Sequence, residues 1–140
     1  MTSRFEFLDH TADLGIRGTG ATLGEAFAGA ALGLFSHMTD PERVEARGEV
    51  EVHLEAGTGE DLLVAWLEEL RFANESRLLV FARFEADVSR DATGWRLHGH
   101  AFGEDYDAAR HGHIHEVKAI TRHHLKVQAE PPLVEVILDI

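Results

Sequence analysis

The chain contains no cysteine. That absence removes disulfides, thiolate zinc centres and cysteine nucleophiles together, and it fits a reducing compartment. Long apolar runs are missing as well. None approaches the roughly 18 residues of a membrane span, and MTSRFEF at the start lacks the apolar core of a secretory signal. A soluble, cytoplasmic protein with no membrane partner is expected. Positive charge is scarce, with 13 Lys and Arg against 25 Asp and Glu and a formal net charge of −12. Gripping a phosphate backbone takes Lys and Arg that displace counterions, and no run of them occurs. Strong direct nucleic-acid binding is therefore not expected, and any work on nucleic acid would go through a protein partner or a bound cation. The common catalytic patterns are absent too: no GxSxG elbow, P-loop, HExxH, GxGxxG or EF-hand loop.

What is there suits one domain spanning 1–140. A chain of this length buries about 68–70% of its unfolded surface, so no covalent staple is needed. FEFL (5–8) and LGIRG (14–18) are short strand candidates. Leu23, Phe27, Ala30, Ala31, Leu34, Phe35 and Met38 then recur at helical spacing. Thr22 and Glu25 have the spacing of a capping box. Asp40–Pro41 ends the helix, because the residue before proline avoids helical geometry. Gly24, Gly29 and Gly33 each cost about 1 kcal/mol in helix propensity, but Gly29 and Gly33 share a face that would allow close packing on a sheet.

GEVEVHLE (48–55) alternates as a strand, and Leu62, Leu63, Trp66, Leu67 and Leu70 form a second apolar stripe. Thr58 is placed to cap that helix, with Glu60 and Asp61 at its positive end. From residue 78 onward the chain reads as strands at 78–88, 95–102, 116–121, 124–129 and 132–139, with a hairpin loop at 91–94. Helices early and strands late predict an α+β fold: a mostly antiparallel or mixed sheet packed with two amphipathic helices.

Three acidic places stand out. DHTAD (9–13) sets Asp9, His10, Thr11 and Asp13 between strand candidates, and aspartate is depleted in strands. It reads either as an Asx-type turn or as ligands facing an ion. Asp40 in MTDP is either a helix stop or a further acidic ligand. VILDI closes an apolar strand with Asp139 and Ile140. If Asp13 and Asp139 met, their repulsion would call for a cation or a shared proton. Oxygen-only ligands select hard ions such as calcium or magnesium.

Histidines suggest other sites. Strict alternation would put His111, His113 and His115 on one strand face, enough for zinc or nickel. Gly112 and the polar stretch before it favour a loop instead. His98 and His100 read as simply exposed. In EVKAIT, alternation puts Lys118 on a face with Glu116 and Ile120, either as a surface pair or as a cation for a phosphate or a partner's carboxylate.

FEFLDHTADLGIRGTGATLGEAFAGAALGLFSHMTDP, followed downstream by RHGHIHEVKAIT and a closing VILDI, resembles the archease family over essentially the whole chain. The resemblance implies a small α+β domain that is not itself an enzyme. It would assist an RtcB-type RNA ligase in tRNA processing or RNA repair, where the ligase seals RNA through a GMP-linked histidine. Archeases promote that guanylylation, allow repeated turnover and broaden nucleotide use. The resemblance also implies a divalent cation, calcium first, with magnesium or manganese as alternatives. Its ligands fall on Asp13, Asp139 and the last residue, Ile140, with Asp9 and Asp40 in supporting positions and Lys118 important for activity. Residues appended after Ile140 would then weaken the ion. The run Arg122-His123-His124 departs from the family's usual aromatic followed by His-Gly, as do the imidazoles at His113 and His115. Two rival readings are a metal-dependent phosphoesterase using Asp13, Asp139 and a histidine as base, and a chaperone or interaction module with no metal role.

Overall fold

A computed structural model describes residues 3–9 and 13–140, with only the backbone of Asp9. His10, Thr11 and Ala12, the middle of DHTAD, lie outside the described residues. The strands are β1 (Arg4–Asp9), β2 (Asp13–Thr19), β3 (Gly48–Ala56), β4 (Leu79–Asp91), β5 (Gly94–Asp105), β6 (Ala119–Gln128) and β7 (Leu133–Asp139). The helices are α1 (Leu23–Met38), α2 (Gly59–Arg77) and a single turn, α3 (Ala108–His111). The strands form two antiparallel sheets, ordered β1-β2-β7-β6 and β3-β5-β4. The expected α+β domain is present, with its strands divided between two sheets.

The helix ends follow the sequence signals. The Glu25 N–H donates to Thr22 Oγ1 at 3.1 Å, and Glu25 reaches back to accept from the Ala21 N–H at 3.0 Å. Thr58 Oγ1 accepts from the Asp61 N–H at 3.1 Å. Thr39 caps the C-terminus of α1, one residue before Asp40.

α1 is buried almost all round rather than along one stripe, because both sheets touch it: β1, β2 and β7 from one sheet and β4 from the other. Its small residues permit that approach. A Cβ at Gly29 would collide with the Arg4 carbonyl of β1, and one at Gly33 would lie 2.7 Å from Ile16 of β2. The face predicted for Gly29 and Gly33 is thus the face that meets the four-stranded sheet. α2 packs beside it against β3, β5 and β6, and the Trp66 Nε1–H donates to the Phe27 carbonyl at 3.0 Å, joining the two helices.

Three local readings need correction. The strands expected at 116–121 and 124–129 are one strand, β6, whose pairing with β7 shifts register between Thr121 and Lys126. His124 there has φ of 53°, in the left-handed region, which breaks the period-2 pattern. Lys118 does not share a face with Ile120, since Val117 and Ile120 are both buried while Lys118 precedes the strand and is exposed. His111 does not line up with His113 and His115: it ends α3, only 3% exposed, while the other two lie in the irregular segment that follows.

Candidate functional site

β2 begins where DHTAD ends, and β7 ends one residue before Ile140. Their antiparallel register sets Asp13 directly opposite Asp139, then Leu14 opposite Leu138 and Ile16 opposite Val136. Ile16, Val136 and Leu138 are buried in the core. By alternation Asp13 and Asp139 stand on the other face, together with Arg17 and Glu135. The Arg17 Nε–H donates to Glu135 Oε2 at 2.6 Å on that face, which confirms the orientation.

Residues opposite one another in such a pair have Cβ atoms about 4.5–5.5 Å apart, and like charges there are destabilising. Among the described residues no ion pair engages Asp13 or Asp139. Arg17, on the same face, is taken by Glu135 and Glu6.

Asp139 is also held from its other side. Ala119 of β6 pairs with it, and the Lys118 N–H donates to the Asp139 carbonyl at 2.7 Å. Ile140 is 40% exposed. Lys118 lines a cleft of about 350 Å³ together with Met38, Arg71, Asn74 and Glu116. The Arg71 guanidinium anchors that cleft, donating to the Val117 carbonyl at 3.3 Å and to Glu68 at 2.6 Å. The Glu68 hydrogen bond raises the Arg71 pKa further above its ordinary value. Sequence reading gave no signal for Arg71, because its role depends on which carbonyl the fold brings to it.

Asp40 is exposed and caps the 3-10 turn Pro41–Arg43, accepting from the Glu42 N–H at 3.1 Å. The His115 N–H donates to the Met38 carbonyl at 2.9 Å, tying the end of α1 to the segment that leads to Lys118. Beside it, His37 lies 6.1 Å from His115, ring to ring. Burial, and secondarily His115, push the His37 pKa down. Of Asp9 only the backbone pairing with Leu14 is described.

A second charged cluster went unread in the sequence. Glu104, its side chain 6% exposed, accepts from Arg110 at 3.0 and 2.7 Å, from the Glu45 N–H at 2.7 Å, and lies 2.9 Å from His111 Nε2. The Asp107 N–H donates to His111 Nδ1 at 2.9 Å, which leaves Nε2 as the proton-bearing nitrogen. The Arg110 hydrogen bond, ahead of the other contacts, lowers the Glu104 pKa to about 2. This cluster fastens α3 to the end of β5.

Together these features define a small two-sheet α+β domain with an acidic pair closing the centre of one sheet and a lysine-lined cleft beside it. The model of the Archease protein family (MTH1598/TM1083) matches residues 5–140, and the chain belongs to that family. It is 38% identical to protein archease of Pyrococcus furiosus over 128 residues, covering 91% of this chain and 90% of that one. Protein archease of Thermococcus gammatolerans is 42% identical over the same shares. The solution structure of Methanobacterium thermoautotrophicum protein 1598 superposes with a TM-score of 0.82 at 37% identity, covering 97% of this chain and 98% of that one.

Proposed function

We propose that this archease-family chain is a non-catalytic cofactor of an RtcB-type RNA ligase, promoting the ligase's guanylylation and repeated turnover and broadening its nucleotide use. The reading rests on family membership together with one structural observation, the in-register opposition of Asp13 and Asp139 next to Ile140. The donor set suits a hard divalent cation, calcium first: two carboxylates and a main-chain oxygen of Ile140, all oxygen. When bound, such an ion offsets the repulsion of the pair and presents a positive centre on an otherwise acidic surface.

The chain's own residues do the rest. Asp13 and Asp139 hold the ion from two central strands, so the site is as rigid as the sheet. Lys118, fixed through its backbone to Asp139, extends an ammonium toward a phosphate or a carboxylate of the ligase. Orientation and charge come from this chain, while the covalent chemistry stays on the ligase histidine. The net charge of −12 accords with action through a protein rather than a grip on RNA. Among the described residues no helix is long and apolar enough to cross a membrane, and a cytoplasmic setting fits a chain without cysteine.

A guanylylation assay of the cognate ligase, with and without substoichiometric amounts of this protein, tests the reading. Faster guanylylation and sustained sealing are expected. No stimulation, or hydrolysis of nucleotides or phosphoesters by this protein alone, would replace it. Stimulation that survives in folded D13N and D139N variants would leave the partner and remove the metal.

A further inference from the structure

The outer face of the three-stranded sheet holds a different set of donor groups. Val52, Leu97 and Ala101 turn toward the core. Gly99 lies under the Trp66 indole, which a Cβ there would meet at 2.7 Å. The intervening residues, Glu49, Glu51 and His53 of β3 and His98 and His100 of β5, therefore share the opposite face. Register pairs Glu51 with His100 and His53 with His98. Glu51 Oε2 lies 2.6 Å from His98 Nε2 and 3.2 Å from His53 Nε2, and His100 Nδ1 is hydrogen-bonded to Glu49. The His53 and His98 rings stack with centroids 4.2 Å apart. On the far side, Glu85 and Asp87 of β4 pair with the same two histidines, His100 and His98.

One donor atom from each of Glu51, His98 and His100 lies within 4.8 Å of the others. A tetrahedral zinc with bonds of about 2.0–2.2 Å spans ligand atoms about 3.3–3.5 Å apart. Rotation of the exposed Glu51 and His98 side chains and of the half-buried His100 would have to close that difference. Metal-bound imidazoles usually have their second nitrogen fixed by a carboxylate or carbonyl, and Glu49 already holds the His100 ring in that way.

We propose that Glu51, His98 and His100 form a second cation site, one that takes zinc. Two imidazoles and a carboxylate suit a borderline transition ion, whereas the all-oxygen set at Asp13 and Asp139 suits a hard one. His53, stacked on His98, is the available fourth ligand. An ion there clasps β3 to β5 and offsets part of the negative charge contributed by Glu49, Glu51, Glu85 and Asp87.

Calorimetric titration of zinc chloride into the untagged protein at neutral pH, with calcium in excess, tests the assignment. One zinc per chain is expected, weakened more than about tenfold in E51Q and in the double variant H98Q/H100Q. Calcium binding by the double variant should match the wild type. X-ray absorption of the zinc-loaded wild type should report two imidazole ligands, an outcome that needs no variant to fold. Zinc affinity unchanged in H98Q/H100Q would overturn the proposal. So would loss of zinc only in H113Q/H115Q, among the other exposed imidazoles, or only in D13N/D139N. Because the ligase plays no part in this experiment, its result stands apart from the proposed activity.

Discussion

Asp13 faces Asp139 across the β2–β7 pair, so two carboxylates occupy neighbouring positions on one sheet face. Like charges so opposed are expected to cost stability where no cation lies between them. Asp13→Asn removes one of two like charges and should raise stability in EGTA by about 0.2–1 kcal/mol. If the pair takes calcium as proposed, the wild type should gain about 2.7 kcal/mol at a hundredfold excess over Kd, and the variant should lose that gain. Denaturant titrations with and without calcium measure both. A variant weaker than wild type in EGTA would show that the pair is not repulsive.

Lys118 joins the site through its backbone, the N–H donating to the Asp139 carbonyl. Lys118→Ala keeps that bond, so its stability should stay within about 0.5 kcal/mol of wild type. Stimulation of ligase guanylylation should fall, with calcium affinity unchanged. Full stimulation by the variant would assign the lysine to the surface alone.

Gly29 presses against the Arg4 carbonyl. Gly29→Ala gains about 1 kcal/mol of helix propensity. It also drives a methyl group into main chain that cannot rotate away, and overpacking of this kind costs about 1–3 kcal/mol. The collision should win, giving a net loss measurable by thermal denaturation.

Glu104 has its pKa lowered to about 2 by Arg110 and the groups around it. A depressed carboxylate adds stability that is fully present above its unfolded value near 4.3 and is lost as pH falls toward 2. Glu104→Gln should therefore be less stable than wild type at pH 7, with the gap closing between about pH 4.5 and pH 2. Parallel melts across that range give the comparison.

The helices were legible because capping and apolar spacing are local: Thr22, Glu25 and Thr58 act where their neighbours predict. The glycine face of α1 was legible for the same reason. Division of the strands into two sheets was not, since pairing depends on partners far along the chain. The break at His124 was hidden because a left-handed histidine has no period-2 signal. At the candidate site the residue types were readable, but the opposition of Asp13 and Asp139 spans nearly the whole chain and became visible only in the register. His98 and His100 looked like plain surface residues because their glutamate neighbours come from β3, far upstream.

β7 comes last among the strands yet lies between β2 and β6. Until it slots in, the β1–β2 hairpin and β6 have no strand between them, and α1 lacks part of its floor. Completion of this sheet must therefore await the emergence of Leu133–Asp139 from the ribosome. The same late insertion brings Asp139 to Asp13, so a nascent or clipped chain without β7 would lack the paired carboxylates of the complete sheet.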